Sequence, residues 1–445
     1  MASGSAYADT LETALIQAYQ NNPQVNAQRA LVRATDEAVP QALSGYRPQI
    51  SASANYGVQW THSRTNLPLV GRTDNSSRTT PGGYGATLTQ NVFNGFRTAN
   101  QTRQAESQVF AARETLRVIE QTVLLDAATV YMNVLQASAI FDLQKRNVEV
   151  IQEQLRQTRD RFNVGEVTRT DVAQAESRVA AAQSQMLTAQ ANLTTARAAY
   201  RRVIGVDPNR LSAGTPVDRL SPRTLDVAVA QGQSENPSVT AAEYGVDVAQ
   251  LQVKVNEGSL YPQASIVANA QQNHNTTETA IRGFNASVIG QVVVPIYQGG
   301  AEYALIRQAK ETVGQRRLEL ALNRDQARAN VVQSWGQLDA AKAQIDATKS
   351  QVTAAEIALN GVREEARVGQ RTTLDVLNAQ QELVNARVAL VTAQRDRVVA
   401  SYTLLSAVGR LNVPTLGLQV PLYDPMIHYQ QVRDSWFGIR TPDGR

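Results

Sequence analysis

Two short segments of the chain combine a threonine and an aspartate at the same spacing, each shortly after a Val-Gly pair. The first is Thr168-x-x-Asp171 and the second is Thr372-x-x-Asp375. A threonine followed three residues later by an acidic residue is the pattern of a capping box, whose side chains bind the first free N–H groups of a helix. The spacing therefore allows a purely structural interpretation of both carboxylates.

A functional interpretation of the same carboxylates stands beside the structural one. Arg371 directly precedes the second segment, and its guanidinium is predicted to pair with Asp171 across neighbouring turns. Asp375 would then face a central axis. A ring of identical carboxylates on a symmetry axis attracts cations and repels anions.

Other reactive residue types give no indication of catalysis. The sequence has no cysteine, which excludes disulfides, thiolate metal sites, cysteine nucleophiles and a lipid on an N-terminal cysteine. His62, His274 and His428 are isolated from one another, without metal-ligand spacing. The sequence contains no nucleophile motif, phosphate-binding loop or pair of catalytic carboxylates. We therefore expect no enzyme activity, no cofactor and no metal.

The charge pattern argues against nucleic acid as a partner. The 43 Lys and Arg residues nearly balance 39 Asp and Glu residues, for a net charge of +4. The arginines are spread among acidic residues, whereas nucleic-acid binding requires a basic patch and a recognisable fold motif. Aromatic residues make up only 5% of the chain, a composition typical of long packed helices.

The elements that position these residues occur twice in the chain. Asn22-Pro23 and Asn236-Pro237 are 214 residues apart, whereas Val164-Gly165 and Val368-Gly369 are 204 apart. The first copy therefore has ten extra residues, between Asn55 and Asn94. A repeat defines the architectural unit, and this unit is about 200 residues long.

Each copy contains one very long predicted helix. From about Thr98 to Phe162 the sequence has neither Pro nor Gly, and about 65 residues give a rod of roughly 100 Å. Apolar residues recur every seven positions with one four-residue slip, a stutter that locally unwinds a supercoil. Such a seam requires partner helices, and the first candidates are residues 168–203 and 372–408. The seam residues are Val109, Leu116, Val123, Val130, Val134, Phe141, Val148, Leu155 and Phe162 in the first copy and Val313, Leu320, Leu338, Ile345, Val352 and Leu359 in the second.

Each copy also contains two predicted strands with one apolar face. Side chains alternate in polarity over 50–61 and 84–92, and again over 263–271 and 284–294. The stretch 62–82 is rich in Thr, Asn, Ser, Gly and Arg and is predicted to be a loop. Four strands with apolar and uncharged polar faces are typical of a membrane β-barrel.

One chain has too few strands to close a barrel, and an open edge is not tolerated in lipid. We therefore expect several copies to pool their strands. A soluble sandwich, with the apolar faces packed on a second sheet, is the alternative. Aromatic residues near the strand ends fit the girdles found at membrane interfaces: Tyr56, Trp60, Tyr84, Phe93, Phe284 and Tyr297.

Two further features concern export and membrane insertion. Ala6-Tyr7-Ala8 fits the small-x-small site of a signal peptidase, and a chance occurrence in a flexible start is the alternative. No apolar run approaches the roughly 18 residues of a membrane-spanning helix.

Taken together, these features resemble the TolC family of outer-membrane efflux and secretion channels, in its non-lipidated branch. The resemblance covers about residues 9–412. Besides the duplicated hairpin-plus-helix plan, it rests on Pro295–Gly300, Arg161–Gly165 and the stretch from Val368 to Leu377. It implies a homotrimer with a twelve-stranded outer-membrane β-barrel and a periplasmic α-barrel of long antiparallel helical rods, so that the fold is mainly α with a membrane β part.

The resemblance also implies roles for particular residues. Arg371 and Asp171 match positions that link helices in the closed state, and Asp375 matches a carboxylate ring at the constriction. Asn378 lies where relatives can have a second acidic ring, and Ala366 where a relative has a closing tyrosine. The tips that meet an adaptor are Val164, Gly165, Glu166, Val368, Gly369 and Gln370.

The predicted organisation is a first repeat (9–212), a second repeat (213–412) and an equatorial extension (413–445). In the first, a hairpin at about 47–94 precedes helices at about 96–163 and 168–204. In the second, a hairpin at about 262–297 precedes helices at about 300–367 and 372–408. The expected partners are two further copies, a periplasmic adaptor (membrane fusion) protein, an inner-membrane RND or ABC transporter and outer-membrane lipid.

The predicted function is a passive exit duct, gated at its periplasmic end and located in the outer membrane of a Gram-negative cell. Transport of drugs and secretion of proteins both fit this duct. A trimeric coiled-coil scaffold or adhesin without a pore is the alternative from another class, and four uncharged alternating strands argue against it.

Overall fold

The computed structural model describes residues 9–68, 71–277, 281–442 and 444. The Ala6-Tyr7-Ala8 pattern lies outside these residues. The chain forms two compact units, each made of three stretches. Unit 1 comprises 1–32, 112–242 and 320–424, and unit 2 comprises 33–111, 243–319 and 425–445.

Helices account for most of the described chain. Three short 3₁₀ turns, at Ser44–Tyr46, Asp218–Leu220 and Gly258–Leu260, connect them to other elements. The helices are α1 Leu11–Asn21, α2 Pro23–Asp36, α3 Ala38–Leu43, α4 Arg97–Asn163, α5 Arg169–Ile204, α6 Leu225–Glu235, α7 Pro237–Glu257, α8 Ala301–Arg367, α9 Thr373–Ala407, α10 Val413–Leu416 and α11 Pro425–Val432.

The long helices α4 and α8 have 67 residues each, a length of roughly 100 Å at 1.5 Å per residue. Much of the predicted heptad seam is buried within this one chain. Val109, Val123 and Val148 of α4 are 7% exposed or less, as are Leu338 and Ile345 of α8. The seams therefore find intramolecular partners, as the heptad pattern requires.

The largest apolar core belongs to unit 1. It joins Leu15 of α1, Leu124 and Tyr131 of α4, Tyr200 of α5 and Leu405 of α9. The Tyr131 hydroxyl lies 2.8 Å from the Asp9 carbonyl oxygen and 2.7 Å from that of Ser212. This hydroxyl therefore joins the start of the first repeat, at Asp9, to its end, at Ser212. Burial raises the pKa of this hydroxyl.

One helix is apolar enough to be compared with a membrane span. Within the described residues, α4 contains an 18-residue window with a mean hydropathy of 1.4, which length and composition alone would allow to cross a membrane. Polar residues interrupt this window, so that the sequence has no continuous apolar run of that length. Because 44% of that window is buried inside the protein and α4 lines the largest core, packing between helices explains its apolar character.

The strands lie in unit 2. They are β1 Gln49–Tyr56, β2 Gln59–Leu67, β3 Gly71–Thr79, β4 Gly82–Asn94, β5 Gln263–His274 and β6 Arg282–Val293. One sheet has the order β1-β4-β5-β6, and every neighbouring pair in it is antiparallel. The hairpins of the two repeats thus join through β4 and β5 into one four-stranded sheet.

The predicted loop at 62–82 is wrong. The first predicted strand ends at Tyr56, and the chain then forms a two-stranded ribbon of β2 and β3 that runs from Gln59↔Thr79 to Leu67↔Gly71. An ion pair of 3.0 Å between Arg64 and Asp74 joins the two strands. Backbone pairing therefore determines the structure of a segment whose polar composition suggests a loop.

The register of the sheet places apolar residues in rows across all four strands. Ile50 lies opposite Leu88, Leu88 opposite Ala268, and Ala268 opposite Val288. The adjacent row on the other face consists of Ser51, Thr87, Asn269 and Ser287. In these rows one face of the sheet is thus apolar and the other uncharged and polar, as the alternation predicts. The next row on the polar face departs from this pattern, since Val267 lies opposite Ile289.

One detail of the predicted alternation is corrected by a register shift in β4. The sequence places Val92 on the apolar face with Leu88, but the pairing shifts between Asn91 and Phe93, so that Phe93 lies opposite Ala264. A β-bulge inserts one extra residue and reverses the facing of those that follow.

The C-terminal extension is held separately in each unit. In unit 1, Val413 and Leu418 of the extension join the largest core, together with Leu411 at the end of the second repeat. In unit 2, Tyr429 of α11 packs against the buried Val39, Ala105 and Val109. A hydrogen bond of 2.9 Å between His428 Nδ1 and the buried Asp36 also anchors α11.

Candidate functional site

The two inter-helical turns of unit 1 have the same construction. After α4, Gly165 takes a positive φ of 84° and the Glu166 N–H donates to the Arg161 carbonyl at 2.9 Å. After α8, Gly369 takes a φ of 81° and the Gln370 N–H donates to the Glu365 carbonyl at 2.9 Å. Glycine suits this left-handed position because it has no Cβ, and the bond satisfies a carbonyl at the helix end.

An exposed valine stands at each turn, beside the glycine. Val164 is 72% exposed and Val368 is 71% exposed. In the described part of unit 1, Ile357 and Leu322 of α8 are nearly as exposed, at 68% and 67%. Glu166 and Gln370 are exposed as well. The predicted docking residues are thus all at the surface of the turns in a single chain.

Both predicted carboxylates form capping boxes. Asp171 Oδ2 accepts a hydrogen bond from the Thr168 N–H at 2.9 Å, and Thr168 Oγ1 accepts one from the Asp171 N–H at 3.3 Å. Asp375 and Thr372 repeat this at 3.0 and 3.2 Å. The structural interpretation is therefore correct. It leaves a functional one open, because the box uses only one oxygen of each carboxylate.

The capping hydrogen bonds lower the pKa of both carboxyl groups. For Asp171 the Thr168 hydroxyl contributes most, followed by its backbone N–H and the charge of Arg161. For Asp375 the Thr372 backbone N–H contributes most, followed by the hydroxyl, with Arg371 nearby. Both groups are therefore anionic at neutral pH.

The predicted ion pair between Arg371 and Asp171 does not form within this chain. Arg371 Nε instead donates to Glu365 Oε2 at 2.8 Å, across its own turn. At the other turn the charges are reversed, since Arg161 Nε lies 3.0 Å from Glu166 Oε2. Each turn thus pairs its own charges, because the positive-φ glycine brings the helix end close to the residues that follow it.

Asn378 contacts an arginine that the sequence analysis did not consider. Arg178 Nη2 of α5 donates to Asn378 Oδ1 of α9 at 2.6 Å. Gln380 of α9, 8% exposed, accepts from Arg363 of α8 at 3.1 Å. Arg178 stands seven residues, or about two helical turns, beyond Asp171, and this spacing is the signal that could have identified it.

A groove of about 750 Å³ lies beside these turns in unit 1. Its walls carry both signs of charge, with the carboxylates of Glu149, Glu153 and Glu364 and the guanidinium groups of Arg161 and Arg363. Ala366 also lines this groove. The resemblance places Ala366 where a relative has a tyrosine that takes part in closing the channel, so we expect fewer closing contacts at this position. Among the described residues, no group of three or more acidic or histidine side chains could hold a metal ion.

The predicted interface aromatics belong to unit 2, and most of them are exposed. Exposure is 83% for Tyr56, 73% for Trp60 and 62% for Tyr84. Phe284 is 70% exposed and Tyr297 77%. Phe93 is half-buried because its ring packs edge-on against Phe96, at a centroid distance of 5.2 Å.

The sequence matches the family model described as outer membrane efflux protein. The match has two segments, residues 14–206 and 229–410, which correspond to the two repeats. One relative is the outer membrane efflux protein BepC of Brucella suis, 44% identical over 442 residues that cover 99% of this chain and 94% of BepC.

A more distant relative and a solved structure also match most of the length of the chain. The outer membrane protein TolC of Escherichia coli is 27% identical over 92% of this chain and 84% of TolC. The crystal structure of the Campylobacter jejuni CmeC outer membrane channel superimposes with a TM-score of 0.79 at 16% identity, covering 95% of this chain and 89% of CmeC. That likeness shows the same fold.

Proposed function

The chain belongs to the outer membrane efflux protein family, and on this premise we propose that three copies assemble into one gated exit duct. It is an outer-membrane channel of the TolC type in a Gram-negative cell, with a helical periplasmic portion, and it is not an enzyme.

The four-stranded sheet carries the proposal of a trimer. In the described chain β1 and β6 form the two edges of this sheet, and its apolar face is largely exposed, with Val288 76% and Ile50 72% exposed. Backbone groups at a sheet edge cannot remain unpaired in lipid. Pairing of β6 with β1 of the next copy satisfies both edges, and three copies close a twelve-stranded barrel.

The two turns of unit 1 are the proposed periplasmic gate. The Arg371–Glu365 pair is about half-exposed, with side-chain exposures of 52% and 45%, and such surface pairs contribute little to stability. Arg371 can therefore exchange Glu365 for Asp171 of a neighbouring copy at low cost. In this proposal that exchange closes the aperture, and the three Asp375 carboxylates surround it.

The exposed valines support an adaptor-docking role for the turns. Val164 and Val368 present apolar surface beside glycines whose conformation is fixed by the helix ends. A helical hairpin of an adaptor protein would bury these valines, and preferential contact with the open state would shift the population of the gate towards it. An inner-membrane transporter supplies the energy, since nothing in the chain can do so.

The proposed substrates are small molecules exported from the cell, because the 44% identical relative is named as an efflux protein. The test uses the native host with the gene deleted and then restored. Loss of the chain should raise the intracellular accumulation of a fluorescent efflux dye such as ethidium, and restoration should lower it.

The matched control is Val164→Ser combined with Val368→Ser, which keeps the duct but removes the apolar tips. Cells that express this double variant should contain normal amounts of trimer. They should nevertheless accumulate as much dye as cells in which the gene is deleted. Unchanged accumulation on deletion would contradict a role in efflux, and secretion of proteins would then become the leading function.

A further inference from the structure

An arginine next to the proposed gate is held by a neutral partner. The Arg178 guanidinium donates to the side-chain oxygen of Asn378 at 2.6 Å, and among the described residues the structure gives it no carboxylate within 4 Å. Neighbouring arginines differ, since Arg159 pairs with Glu176 and Arg387 with Glu356. The positive charge of Arg178 is therefore not neutralised by a partner within the chain.

The position of this charge follows from helix geometry. Asn378 comes three residues after Asp375 on α9, which places it about 60° around the helix and about 4.5 Å along it. The Arg178 guanidinium touches Asn378 and so lies on the same side of α9 as the Asp375 carboxylate. The face of α9 that carries Asp375 therefore also carries the Asn378 side chain that holds Arg178.

The two side chains carry opposite charges. An arginine side chain stays protonated in proteins, and Asp375 is anionic because its capping hydrogen bonds lower its pKa. The rise of about 4.5 Å along α9 from Asp375 to Asn378 is less than the Debye length of about 8 Å at physiological ionic strength. Each copy therefore places one positive and one negative charge near this level of α9.

We propose that Arg178 is a specificity-determining residue of the aperture, where three guanidinium groups, held by Asn378, offset the attraction of the Asp375 ring for cations. This inference rests on the proposed gate, because it requires Asp375 to line the aperture. Cationic solutes would then cross the constriction without being trapped at it, whereas a ring of carboxylates alone would retain them.

A purely structural role for Arg178 is the competing explanation, since its hydrogen bond also joins α5 to α9. The two roles differ in their dependence on charge. Glutamine at position 178 can still donate a hydrogen bond but carries no charge. Lysine keeps the charge but loses the planar fork of the guanidinium.

The experiment measures block of the purified full-length trimer in a planar bilayer by hexaamminecobalt(III), a trivalent cation with inert ligands. Arg178→Gln should strengthen the block on the order of tenfold and shift the K⁺/Cl⁻ reversal potential towards cation selectivity. Arg178→Lys should resemble the parent. Arg159→Gln, whose arginine is paired with Glu176, is the matched control and should change little.

Two further variants separate this inference from the proposed gate. Arg178→Met keeps a long side chain without its charge and should strengthen the block even if Arg178→Gln does not assemble. Asp375→Asn should weaken the block. An effect of Asp375→Asn with none of Arg178→Gln or Arg178→Met would overturn the role of Arg178 alone, whereas no effect of Asp375→Asn would overturn the proposed aperture, and the role of Arg178 with it.

Discussion

At the scale of single residues, capping a helix occupies one oxygen of a carboxylate and leaves the other available for the proposed role at the gate. Each box uses one oxygen of Asp171 or Asp375, and the hydrogen bonds that hold it keep it anionic. The sequence predicts the boxes because they depend on four consecutive residues. It does not predict the partner of Arg371, because the contact with Glu365 depends on how the chain turns at Gly369.

The first box should stabilise the start of α5. Thr168→Ala removes the acceptor for the Asp171 N–H, a change that typically costs about 1 kcal/mol. Backbone amides in the first turn of α5 should exchange with deuterium roughly fivefold faster at neutral pH. Thr188→Ala is the control, because this exposed threonine lies in mid-helix and bonds only the Ser184 carbonyl. Equal exchange in both variants would contradict a stabilising box.

The same box makes the stability of this turn depend on pH. Because folding lowers the pKa of Asp171 from its ordinary value of 3.8, its contribution is complete above that value and is lost as the pH falls through the lower, folded-state pKa. After correction for chemical exchange rates, Asp171→Asn should open this turn more than the parent at pH 7. The difference should vanish in acid below the folded-state pKa, and a difference that persists there would refute an electrostatic origin.

At the scale of elements, alternation of side chains predicts the sheet but not the ribbon. The rows through Ile50, Leu88, Ala268 and Val288 follow directly from the two-residue period. By contrast, β2 and β3 consist mostly of polar residues with weak strand preference, and the pairing of one backbone with the other forms the ribbon. The register shift between Asn91 and Phe93 in β4 could not be predicted either. It arises from the pairing of β4 with β5, and no residue type in the sequence indicates it.

The two faces of the sheet should respond differently to charge. Val288→Arg places a charge on the face proposed to contact lipid, at a typical cost of about 2–4 kcal/mol near the bilayer centre. Ser287→Arg, one residue earlier, places it on the proposed lumen face. Folded trimer recovered from outer membranes should fall for the first variant and remain near normal for the second.

The neighbouring positions form a matched pair on one strand. Equal recovery of both variants would contradict the assignment of the faces. A larger loss with Ser287→Arg would indicate that the sheet is inverted or packs on protein, as a sandwich would.

At the scale of the whole molecule, the duplication explains most of what the sequence could predict. Two copies of one hairpin-plus-helix unit yield the long helices α4 and α8 and one joined sheet. The same duplication allows the two turns to diverge, with Arg161–Glu166 at one and Glu365–Arg371 at the other. The predicted assembly depends on contacts between copies. A single chain indicates such contacts only indirectly, through the edges of its sheet at β1 and β6.

The central claim is that this chain forms a gated pore, and single-channel conductance of the purified trimer in a planar bilayer tests it most directly. The parent should show small conductance steps. Arg371→Ser should show larger ones, because the aperture loses the arginine that is proposed to link neighbouring copies. Arg367→Ser is the control, since Arg367 pairs only with Glu364 on its own helix and is strongly exposed.

Small steps for the parent and Arg367→Ser, with larger steps for Arg371→Ser, are the predicted result. Conductance without any change in Arg371→Ser would retain the channel and remove the proposed latch. Absence of conductance for all three proteins, despite verified insertion into the bilayer, would contradict the pore itself and favour a non-conducting scaffold.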